Sequence, residues 1–219
     1  MFDYLYDQKK IKNWQLLILL LIINEFLLFA VKETLEPGLV IGGFAHMPEK
    51  SSDLDTFKNH VQGVYRNALI FLPAIMMLKY ILLTLFLQMP FAIQFKELIF
   101  SKSFRIIMVA SIGQIMAGSV RYLVFVHNNL EPGSGRIQEK IPLGLASLME
   151  TESLNQATFF LLNQFNGFEI IWCFLLYKGL QFYQVDDNVN LRLMVPLIWL
   201  TLVFFQFLSV LISHQLIEL

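Results

Sequence analysis

The stretch NALIFLPAIMMLKYILLTLFLQ, residues 67–88, decides the fold: in 22 residues it carries one charge, Lys79. About 20 mostly apolar residues span a bilayer as a helix. Lipid cannot satisfy an open backbone, so such a segment must close its hydrogen bonds internally. Working outward, the same reading applies to Trp14–Val31, Ile106–Val126, Ala157–Lys178 and Leu193–Ser213. The expectation is an all-α, polytopic membrane bundle of five transmembrane helices.

Composition agrees. The 219 residues are 56% hydrophobic and 15% charged, against about 25% charged in soluble domains. Mean hydropathy is +0.59. A net charge of -1 supplies no basic field for nucleic acid. Cys173 is the only cysteine, so neither an internal disulfide nor a cysteine-rich metal site can form. Lys9, Lys10 and Lys12 precede the first apolar run, but no small-residue cleavage site follows it and Asn24-Glu25 interrupts it. It reads as a retained helix.

Lys and Arg set orientation. With the N-terminus inside, the inner connections and their edges hold Lys9, Lys10, Lys12, Lys96, Lys102, Arg105, Lys178 and Arg192. The longer outer loops, 32–66 and 127–156, hold Lys32, Lys50, Lys58, Arg66, Arg136 and Lys140. This bias points to N-inside and C-outside. Residues 1–13 read as a short amphipathic segment on the inner surface, with 14–219 a single five-helix domain. IPLGLASLM, residues 141–149, reads as a segment on the outer surface, too short to span.

Charges inside spans are costly and tend to be paired or functional. At about 1.5 Å per residue, Glu25 and Arg121 lie roughly 8–9 Å below the outer surface. Lys79 and Glu169 lie at about 18 Å, near the midplane. The charges therefore sort into an upper pair, Glu25 with Arg121, and a middle pair, Lys79 with Glu169. Gln114 and Asn166 belong to the middle layer. Two readings stay open: ion pairs and amides that fix helix packing, or a polar path for an ion, proton or headgroup.

LEPG occurs at residues 35–38 and again at 130–133. Pro37 and Pro132 suit the second position of a tight turn, and the following glycines the third. Both copies fall just past a helix on the outer side. Glu36, Pro37, Glu131 and Pro132 thus mark an outer rim where a partner would dock. The chain has no HExxH, nucleophile elbow, P-loop or Gly-rich dinucleotide turn. The four histidines show no helical ligand spacing. No catalytic residue, metal or cofactor is expected, and Gly113 and Gly118 suggest a close helix contact.

NQATFFLLNQFNGFEIIWCFLLYKGL, residues 155–180, resembles the fourth-helix region of Yip1-domain proteins at Asn166, Phe168, Trp172 and Gly179. The segment 141–149 before it and Phe104-Arg105 at the start of the third helix are similar too. The short tail and the large loop 32–66 depart from the eukaryotic pattern and fit a bacterial member. The resemblance implies a membrane scaffold or partner subunit with no catalytic residues, binding other integral membrane proteins. The alternative is a transporter, channel or lipid-handling protein using the intramembrane polar residues.

Overall fold

The computed structural model describes residues 3–34, 51–93, 98–127, 143–149, 155–183 and 190–217. Among these the chain is helical, with no strand beyond one isolated bridge, Gly144 to Asn166. The helices are α1 (Asp3–Tyr6), α2 (Asn13–Thr34), α3 (Ser51–Ile93), α4 (Phe100–Ala110), α5 (Ile112–His127), α6 (Gln156–Gln164), α7 (Gly167–Phe182) and α8 (Leu191–Ile217). Among the described residues, four segments are long and apolar enough to cross a membrane: Asn13–Ala30, Leu69–Ile93, Phe100–Val124 and Leu191–Val210. Both LEPG copies lie outside the described residues.

The rod formed by α4 and α5 is the centre. It packs against α2, α3 and α7, while α8 lies on α6 and α7. Burial follows: 39% of the α4–α5 span is buried, against 11% of the α2 and α3 spans. The core runs from Leu16 and Leu20 through Ile106 to Ala110, then to Trp172, Leu175 and Leu176. Dispersion and close approach, rather than water exclusion, hold such helices together in lipid.

The observed bounds depart from the expected spans for physical reasons. The second helix is not limited to 67–88 but starts at Ser51, so 51–66 of the expected outer loop are helical. Pro73 and Pro90 lie within it, each removing one backbone donor. The third span starts at Phe100 rather than Ile106, because Arg105 is absorbed into the protein instead of ending the helix. At Ser111 the rod continues through Ser111 N–H to Ile107 O (2.9 Å) and Ile115 N–H to Ser111 O (3.1 Å). The Ser111 hydroxyl donates back to Met108 O at 2.7 Å, a contact that bends helices.

The fourth span is not one helix over 157–178. It breaks at Phe165-Asn166, where Asn166 leaves helical geometry (φ -134, ψ 162) to cap α7. Leu145 N–H donates to Phe165 O (3.0 Å) and Gly167 N–H to Leu143 O (3.3 Å), so residues 143–149 fold onto the break. This segment is therefore partly buried, Gly144 and Ala146 facing inward. Leu143 takes a positive φ of 62°, a strained geometry for a bulky residue, and its carbonyl receives the Gly167 bond.

Candidate functional site

The middle polar layer draws on α3, α5, α7 and α8. Lys79 Nζ donates to Gln114 Oε1 at 2.7 Å, joining α3 to α5. Lys79 is exposed on the surface of α3. Glu169 Oε2 accepts from Trp199 Nε1 at 3.1 Å, joining α7 to α8. Lys79 and Glu169 interact through space but make no direct ion pair. The expected pair is thus replaced by two bridges: Gln114 takes the cation and the indole takes the anion. Trp199 gave no sign of this role in the sequence, because an indole donor has no spacing rule.

Asn166 fixes the layer's geometry. Its Oδ1 accepts from Phe168 N–H (2.9 Å) and Glu169 N–H (3.0 Å), and its Nδ2 donates to Asn163 O (2.7 Å). This cap starts α7, whose packing face begins two residues later at Phe168. On that face, Phe168, Trp172 and Gly179 are buried. A Cβ on Gly113 would stand 3.0 Å from Phe168 O and 3.1 Å from Trp172 N, so the α5 and α7 backbones cross there. Gly118 has nothing within 4 Å, so only the first of the two expected glycines makes a close contact.

The upper pair has a different arrangement. Helices α2 and α5 do pack together. Glu25 is half-buried and Arg121 exposed. Arg121 has an interaction partner. Asn24 turns back on its own helix, Nδ2 donating to Leu20 O at 2.8 Å. Glu36, Pro37, Glu131 and Pro132 lie outside the described residues. Among the described residues, no group of three or more His, Cys, Asp and Glu could hold a metal.

A second polar centre was not legible. Arg105 is 0% exposed, and its guanidinium binds the N-terminal segment. Nε donates to Leu5 O (2.7 Å), Nη1 to Ile11 O (2.6 Å) and Asn13 Oδ1 (3.1 Å), and Nη2 to Asp7 O (3.3 Å). Tyr6, also 0% exposed, donates its hydroxyl to Leu175 O and packs on Gly179. Tyr183 closes the ring by donating to Tyr6 O at 2.6 Å. Burial pushes the Tyr183 phenol above its ordinary range, against the pull of the Arg105 charge, so it stays a donor. Residues 4–13 are therefore pinned into the end of the bundle.

No known protein family, curated protein or solved structure matches this chain. None of these comparisons supports an assignment to Yip1-domain proteins, whose resemblance is carried by Asn166, Phe168, Trp172 and Gly179. Three of them have packing roles here and the fourth, Asn166, caps the helix that carries them.

Proposed function

We propose that this chain is a non-catalytic scaffold or accessory subunit of a membrane protein complex, Yip1-like in plan. It crosses a bacterial inner membrane five times, N-terminus inside and C-terminus outside, with α6 and α7 together supplying the crossing that is broken at Asn166. One observation carries the reading. Helix α3 has 43 residues, but its apolar window is Leu69–Ile93. The helix therefore continues about 27 Å past the apolar window on its Ser51 side. The hydrocarbon core is only about 30 Å thick, so this arm stands outside it, with Asp53, Asp55, Lys58 and His60 along its sequence. A helix projecting this far gives another membrane protein a rigid element to grip. The polar layer supports the same reading, since Lys79–Gln114 and Glu169–Trp199 are each spent on holding helices together.

The experiment is native mass spectrometry of the gently solubilised full chain, beside a variant carrying Asp53→Lys and Asp55→Lys. The expected result is a complex with another integral membrane protein that the arm variant loses. A chain that is solitary in both forms refutes the reading. The second reading, a transporter, channel or lipid-handling protein, is favoured by one fact: Lys79 and Glu169 share a layer without neutralising each other in direct contact. Flux or lipid transfer in proteoliposomes, abolished by Glu169→Gln, would replace the first reading with the second.

A further inference from the structure

An open groove of about 520 Å³ runs between the C-terminal part of α3 and the N-terminal half of α8. Phe86, Met89 and Ile93 face Leu193, Leu197 and Phe205 across it. The two helices touch little here, and an edge-on contact between Phe86 and Phe205, ring centres 6.3 Å apart, bridges them where α8 runs deepest. The wall asks for no polar partner. Thr201, on the lining, already donates its hydroxyl to Leu197 O at 2.7 Å. Asn190, exposed and at the start of α8, is the other polar residue on the lining.

We infer that this groove is a binding site for one acyl chain of a membrane phospholipid. Size selects the occupant. A helix with its side chains is about 10–12 Å across, so a 20 Å length sweeps on the order of 2,000 Å³. That is several times the groove, whose volume fits small-ligand sites of roughly 300–1,000 Å³. From Asn190 to Phe205 the lining follows α8 for about 22 Å, longer than one leaflet of hydrocarbon at about 15 Å, so the groove can flank an acyl chain over its whole depth. Position agrees too. Ile93 ends one apolar span and Leu191 begins another, so the mouth lies at the hydrocarbon boundary. There Asn190 can reach the headgroup region while the chain lies inward. Met89 and Met194 give the wall side chains that adapt to a flexible chain.

The test fills the groove. Met89 and Leu197 are each 60% exposed, so Met89→Trp with Leu197→Trp occupies the groove without disturbing the core. Ile170→Trp, at 72% exposure on α7 and outside the groove, is the control. Native mass spectrometry of detergent-purified full chain, under graded activation, reads bound phospholipid. Wild type and the control retain one phospholipid per chain, and occupancy in the double variant falls about tenfold. If the tryptophans destabilise the protein in a thermal melt, the milder pair Met89→Phe with Leu197→Phe repeats the measurement. Equal retention by the filled variants overturns the inference, as does a wild type that keeps no phospholipid. A filled variant that loses a protein partner or a second copy while its lipid is unchanged also overturns it, and assigns the groove to that partner.

Discussion

Replacing Arg105 should free the N-terminal segment while leaving the bundle folded. Its guanidinium makes four hydrogen bonds to residues 5–13, three of them to backbone carbonyls. Hydrogen bonds from a charged donor contribute about 1.5–3 kcal/mol each, so a simple sum would reach roughly 6–12 kcal/mol. That sum overstates the loss, because the freed carbonyls of Leu5, Asp7 and Ile11 can turn to water once the segment lifts. Breaking a buried charge network costs about 3–5 kcal/mol. We expect Arg105→Gln to lower the free energy of opening residues 4–13 by about 3 kcal/mol, roughly a hundredfold in exchange rate. Hydrogen exchange read by mass spectrometry on peptides covering this segment measures it, with peptides from α7 as reference. Arg105→Lys should lie between, since one ammonium cannot imitate a planar fork with several donors. Coupling between Arg105→Gln and Tyr6→Phe should be non-additive, because Tyr6 lies between two of the carbonyls that Arg105 holds. Unchanged exchange in Arg105→Gln would refute the anchor.

The other expectations are compact. Gly179→Ala places a Cβ 2.7 Å from Tyr6 Cε1 and 3.0 Å from Ile106, so it should cost about 1–3 kcal/mol in a thermal melt and loosen the same N-terminal peptides. Gly113→Ala meets backbone atoms at 3.0–3.1 Å and should cost at least as much, whereas Gly118→Ala, with open space, should be neutral or stabilising by up to about 1 kcal/mol. Asn166→Ala removes the α7 cap and should cost about 0.5–2 kcal/mol, measured by unfolding in detergent with Asn166→Asp retaining much of it. The Tyr183 phenol is raised in the folded state, so its contribution is intact below the free tyrosine value of about 10 and is lost as pH rises above it. Exchange of the N-terminal peptides, corrected for intrinsic rate, should therefore accelerate only in that alkaline range, and Tyr183→Phe should abolish the step.

The helices long and apolar enough to cross a membrane were legible because runs such as Leu16–Ile23 and Leu82–Leu87 would leave no other stable backbone state in lipid. The polar residues of the middle layer were legible as a set, since each interrupts an apolar run at a similar depth. Their pairing was not. Depth counting matched Lys79 with Glu169, but the Lys79 ammonium donates to Gln114 instead. Arg105 looked like a loop cation because three of its partners are backbone carbonyls 94–100 residues away, which have no residue-type signature. Asn166 read as one more buried amide. Its role as a cap depends on Gly167 and on Leu143, and neither stands out from its neighbours.

The anchor also imposes an order of assembly. Tyr6 is bonded to Leu175, 169 residues later in the chain, and is held again by Tyr183. At about 5–20 residues per second, roughly 10–30 s of translation separate the two ends of the first bond. During that interval Arg105 is already made and can hold Leu5, Asp7 and Ile11, while the bond from the Tyr6 hydroxyl to Leu175 still waits. Completion of the N-terminal anchor thus reports that α7 has arrived, and a chain stalled before Leu175 lacks the Tyr6 lock even where Arg105 already holds the segment.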